Sequence, residues 1–178
     1  VLDEDAPVGN ENPLGYLALD DEILDVGLTP NRNDCMAAWS MALETGAILH
    51  KEVNIPYVEG AANVGEASRL IVRSETEKCP LFLGKVINSV TIKPSPKWMQ
   101  ELLMAAGMKS INNVVDISNI VMLETGQPLH FYDLDAIPAQ EITVKDQQRF
   151  DYTALDGESY HIEEDDIVIT TEGKPIGI

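Results

Sequence analysis

Short runs of Val, Ile, Leu and Thr, bounded by turn residues, mark the strand candidates: RLIVR (69–73), LFLGKVINSVTI (81–92), EITVK (141–145) and DIVIT (166–170). EILDV (22–26) reads as one more short strand, entering the turn GLTPNRND. Three other stretches have helical spacing. Met36, Trp39, Leu43 and Ala47 form an apolar stripe behind Asn33 or Asp34, either of which can cap the helix. Trp98, Met99, Leu102, Leu103 and Ala106 form a second stripe, with Ser95 as cap, Pro96 at the first helical position and Gly107 as the stop. A third helix is expected from Asn113 to Thr125, ended by Gly126.

Helices and strands do not alternate regularly, so the expected class is α+β rather than a doubly wound sheet. KEVNIPYVEGAANVGEAS is polar and rich in Gly, Ala and turn signals, and it reads as a boundary. The expected organisation is a partial helical domain over 1–55, a linker over 56–68 and a larger module over 69–178. The chain opens without Met and closes inside the strand-like GKPIGI, which suggests a piece of a longer protein with few partners for that last strand.

Composition narrows the function. Of 178 residues, 44% are hydrophobic and 24% charged, in keeping with a globular core. The longest uncharged run, Cys35–Leu43, is far too short to span a bilayer, so no membrane association is expected. Two isolated cysteines, Cys35 and Cys79, fit a reducing cytoplasm. A net charge of −18 argues against broad, sequence-independent nucleic-acid binding. Between Arg69 and Lys109, however, seven bases face three acids, a local excess that suits either a polyanion or a solvated edge.

Candidate chemistry is sparse. The chain carries no phosphate-binding loop, dinucleotide fingerprint or Gly-x-Ser-x-Gly elbow. His50, His130 and His161 lie far apart without ligand-like companions, so no metal site is expected. The acidic run 163–166 reads as a solvated turn, with cation binding as the alternative. The Gly-Gln-Pro-Leu-His stretch (126–130) stands apart. Gly126 can take positive φ and Pro128 blocks helix continuation, so the chain leaves the helix sharply and mounts His130 on a stiff loop. Ser118 and Asn119 lie on the helix behind, and they converge with His130 if that helix packs beside the loop. The residues alone leave two readings: a structural histidine behind a helix stop, or a functional imidazole in a polar pocket.

LTPNRNDC, then PSPKWMQELLMAAGMKSINNVVDISNIVMLETGQPLHFYDLD, then LDGE, DIVIT and GKPIGI closely resemble the bacterial phenylalanyl-tRNA synthetase β subunit over most of residues 15–178. The resemblance implies a small winged-helix-like segment followed by a β-barrel-like module with packed helices, which edits mischarged tRNA. The implied reaction is hydrolysis of tyrosine wrongly attached to tRNA(Phe), an error an apolar pocket rejects poorly because only a hydroxyl separates the two amino acids. His130, Asn119 and Ser118 would be catalytic, with Ser118 standing where the family has threonine. Lys109, Gln127, Pro128 and Leu129 would bind substrate, Lys109 replacing an arginine and so losing its bidentate fork. The implied partners are the tRNA(Phe) acceptor end and the α subunit of an α2β2 assembly. ATP and Mg would serve the parent enzyme's activation step, and this region would hold no cofactor. A glutamate that recognises the tyrosine hydroxyl would lie beyond residue 178. A docking scaffold for tRNA and the α subunit, or a module for a small aromatic ligand, are the other readings.

Overall fold

The computed structural model describes residues 6–17, 19–56, 68–155 and 157–178. Its elements are helix α1 (Pro13–Tyr16), a 3-10 segment (Pro30–Met36), α2 (Ala38–Leu49), β1 (Ile71–Ser74), α3 (Lys97–Ala105), α4 (Asn113–Thr125), β2 (Glu141–Lys145), β3 (Phe150–Thr153), β4 (Ser159–Ile162), β5 (Val168–Thr171) and β6 (Lys174–Gly177). The class is α+β, as the irregular alternation predicts. Two compact units emerge: Val1–Tyr57 with Ile92–His130, and Val58–Thr91 with Phe131–Ile178. Residues 57–67, most of the expected linker, lie outside the described residues.

The first unit is helical. Leu103 is fully buried and packs with Met99 and Ile120, while Met108 and Leu123 cover the cluster. The stripe on α3 is narrower than expected, because Trp98 and Leu102 are exposed. Gly107 ends α3 as predicted. Its N–H donates to the Met104 carbonyl (3.0 Å) and the Met108 N–H reaches back to Leu103 (2.8 Å), a Schellman closure in which Met108 also packs against the Leu103 cluster. Two expected caps are corrected. Ser95 does not cap α3; its Oγ donates to Asp116 Oδ2, and Pro96 occupies the cap position. Nor does Asn33 or Asp34 cap α2, which starts after Ala37 without a side-chain cap. Asp34 is instead engaged by Arg32 Nε (3.1 Å), and Arg32 also grips both Glu44 carboxylate oxygens at 3.0 and 2.9 Å. A charged fork beside the carboxylate is a stronger partner than a backbone amide. Of the stripe predicted for α2, Met36, Leu43 and Ala47 are exposed, and Gly46 is the buried position.

The second unit holds an open sheet in the order β1-β2-β5-β6, with β1 parallel to β2 and the other pairs antiparallel. The central strands are the β-branched runs, and Val144, Val168 and Ile169 supply the core with Ile137 and Ile142. Buried Thr170 is satisfied by donating to the Thr143 carbonyl (3.0 Å). Beyond β5, Glu172 and Gly173 both have positive φ (46° and 75°), the two-residue turn that returns the chain as β6. The closing strand pairs on one side only, with β5, at the edge of the sheet. Strands β3 and β4 form a separate antiparallel pair. Among the described residues neither sheet closes into a barrel, so the barrel-like core is an open mixed sheet.

Two expected strands are absent. Residues 81–92 alternate, with Phe82 packed on the core and Leu81 and Leu83 outside, yet they join no ladder, and Ser89 interrupts the run at φ 60°. Residues 22–26 likewise form no strand: Ile23, Leu24 and Val26 are exposed between acidic neighbours. Periodicity without a hydrogen-bonding partner does not make a strand.

Candidate functional site

Helix α4 carries two of the candidate residues, Ser118 and Asn119, and its ends are fixed by local chemistry. At its start, Asn112 Oδ1 accepts from the N–H groups of Val114 (3.0 Å) and Val115 (3.1 Å). At its end Gly126 adopts φ 77° and its N–H donates to the Met122 carbonyl at 2.8 Å. A side chain there would be strained, and its Cβ would come within 3.3 Å of Ala37 Cβ. Thr125 Oγ1 donates to the Val121 carbonyl and accepts from the Gln127 N–H (3.1 Å), which holds the first residue of the exit.

The exit doubles back. Ser118 Oγ donates to the Leu129 carbonyl at 3.3 Å, so the Gly126–His130 loop runs back alongside α4 for about two turns, or roughly 10 Å. Ser118 and Asn119 are half-buried, while Gln127, Pro128, Leu129 and His130 are exposed. Gln127 Nε2 donates to the Pro128 carbonyl (3.3 Å), so that its amide braces the loop itself. Helix and loop therefore meet at Ser118 and Leu129. Lys109 sits elsewhere, in the turn between α3 and α4. It lines a shallow groove of about 550 Å³ with Lys97, Gln100, Glu101, Met104 and Ser110.

Behind these residues lies a group that the sequence did not single out. Asp116, fully buried on α4, accepts Ser95 Oγ (2.5 Å) and Ser110 Oγ (2.6 Å) on one oxygen and the Ile111 N–H (2.8 Å) on the other. Burial pushes its pKa up, but hydrogen bonds from the two serines and from the Ile111 and Asn112 amides outweigh it and hold the group below the ordinary 3.8. The available signal was an aspartate inside an apolar run, four residues after an N-cap asparagine.

The remaining polar clusters are structural in their contacts. Lys78 Nζ contacts Asp165 Oδ1 at 2.8 Å and Asp146 Oδ2 at 3.5 Å, while Asp166 accepts the Glu163 N–H at 2.9 Å, so the acidic run forms a tied turn. His161 pairs with Asp151 across β3 and β4 at 2.7 Å and with Glu163 at 3.4 Å. Among the described residues no group of three His, Cys, Asp or Glu side chains has a metal-binding arrangement. No helix among them is long and apolar enough to cross a membrane.

Comparison with known proteins places this architecture. Residues 78–178, more than half of the chain, match the B3/4 domain, and the chain belongs to that family. It is 41% identical over 180 residues to the phenylalanine–tRNA ligase beta subunit of Streptococcus pneumoniae serotype 4, covering 100% of this chain and 22% of that protein. The corresponding subunit of Bacillus subtilis strain 168 is 43% identical over 177 residues, with 98% and 22% covered, and that of Geobacillus kaustophilus is 40% identical over 181, with 100% and 22%. The chain thus spans 22% of the length of these relatives. The resemblance drawn from the motifs extends over the whole chain.

Proposed function

We propose that this chain carries part of the editing site of a phenylalanine–tRNA ligase β subunit and takes part in hydrolysing tyrosine from mischarged tRNA(Phe). The observation that carries the reading is the Ser118–Leu129 hydrogen bond, which folds the Gly-Gln-Pro-Leu-His loop back onto the helix bearing Ser118 and Asn119. His130 follows Leu129 on this braced, exposed loop, and a stiffly mounted imidazole suits a water-mediated ester hydrolysis.

In this reading His130 orients the attacking water, and accepts its proton if the neutral imidazole serves as base. Asn119 and Ser118 direct donors toward the ester carbonyl or the ribose, where negative charge develops as the bond breaks. Pro128 and Leu129 form the wall, Gln127 braces it, and Lys109 supplies a positive charge for the acceptor end of tRNA. The tRNA and the ligase α subunit are the partners, and ATP with Mg belongs to the parent enzyme's activation of phenylalanine. The test is release of tyrosine from Tyr-tRNA(Phe) by the complete ligase with and without His130→Ala. Loss of release with phenylalanine ligation intact supports the reading; equal losses of both return His130 to a structural role.

A docking role is the second reading. Leu81, Leu83, Ile87 and Val90 form an exposed apolar run outside any ladder, which suits a contact with another polypeptide.

A further inference from the structure

A carboxylate with no exposed surface is costly to keep, and a Leu or Met at the same place would pack the helix without that cost. Asp116 is not needed to start α4 either, since Asn112 already accepts the Val114 and Val115 amides there. What the carboxylate does uniquely is join three segments: Ser95 ahead of α3, Ser110 and Ile111 in the connecting turn, and α4 itself. Lys109 immediately precedes Ser110 in that turn, and Ser118 and Asn119 follow Asp116 by two and three residues. Both groups of candidate site residues are therefore anchored to one side chain.

We propose that Asp116 is a positioning residue, whose carboxylate holds the Lys109–Ile111 turn against the start of α4 and so fixes Lys109 in one arrangement relative to Ser118 and Asn119. The proposal rests on the reading of those three as site residues. The acceptor geometry gives it direction as well as grip. A hydroxyl from each side of α3 meets one oxygen and a backbone amide meets the other, so the turn cannot rotate without breaking a bond to a buried carboxylate.

Ser110→Ala tests this, because it removes one donor from the turn and leaves α4 and its cap untouched. Site-resolved amide hydrogen exchange on this chain should show Ile111, whose N–H donates to Asp116, exchanging at least tenfold faster, with Ser118 and Asn119 within twofold of the unsubstituted chain. Ser110→Thr, which keeps the hydroxyl, should restore protection. In the complete ligase, Ser110→Ala should slow tyrosine release about tenfold. The same substitution in a Lys109→Ala background should cost less than twofold, since the group being positioned is already gone. A full tenfold cost in that background would overturn the proposal, as would exchange that rises equally in the turn and in α4, or in neither. If the unsubstituted ligase releases no tyrosine, the hydrolysis reading fails, while the exchange pattern still decides whether Asp116 positions the turn.

Discussion

Gly107 and Gly126 end α3 and α4 with nearly the same backbone angle, φ 76° and 77°, but their surroundings differ. A Cβ at Gly107 meets nothing within 4 Å, whereas one at Gly126 comes within 3.3 Å of the Cβ of buried Ala37. Alanine at either position carries the left-handed penalty of about 1 kcal/mol. At Gly126 the overpacked contact adds about 1 kcal/mol, because neither Ala37 nor the braced exit loop can move aside freely. Gly107→Ala should therefore cost about 1 kcal/mol and Gly126→Ala about 2 kcal/mol. Both tryptophans, Trp39 and Trp98, lie in the first unit, so urea unfolding followed by tryptophan fluorescence reads it selectively. For an m-value of about 2 kcal/mol/M the midpoints should fall by about 0.5 M and about 1 M. Equal shifts would show that Ala37 does not restrict the exit. A larger shift for Gly107→Ala would refute the geometric argument.

Asp116→Ala leaves the Ile111 amide and two hydroxyls facing a void and should cost about 3 kcal/mol, while Asp116→Asn keeps the shape, lets both hydroxyls turn to accept, and should cost about 1 kcal/mol; the same fluorescence assay separates them, and equal costs would contradict the bonding described. The folded-state pKa of Asp116 lies below 3.8, so its contribution is complete above that value and disappears as pH falls through the lowered folded value; the gap between the parent chain and Asp116→Asn should narrow only in that acid range. His161 behaves oppositely. The Asp151 hydrogen bond raises its pKa above 6.5 against a smaller desolvation effect, so its contribution is full below 6.5 and fades as pH rises through the raised value. Imidazole NMR titration should show that elevation, and Asp151→Asn should remove most of it; an unchanged titration would assign the shift elsewhere.

What could be read from the sequence was what local chemistry decides. The limits of α4, the stops at Gly107 and Gly126, and the central strands β2 and β5 follow from capping residues, glycine conformation and β-branched runs. What could not be read depends on a distant partner. Residues 81–92 have the alternation of a strand and no ladder. Ser95 and Asp34 have good capping chemistry, yet each is drawn off by a stronger partner, Asp116 and Arg32. The same holds at the site. Spacing allowed Ser118 to meet the exit loop, and it does; no spacing rule could reveal that Asp116 gathers Ser95 and Ser110 from outside its helix.

In the proposed reading, the Gly126 stop serves to mount His130 for ester hydrolysis on the loop that folds back to Ser118. The most direct measurement is deacylation of preformed Tyr-tRNA(Phe) and Phe-tRNA(Phe) by this chain and by the complete ligase, each with and without His130→Ala. The complete ligase is expected to release tyrosine in preference to phenylalanine, and His130→Ala to abolish the release while phenylalanine ligation continues. Release that is indifferent to His130, or that fails to distinguish the two amino acids, would contradict it.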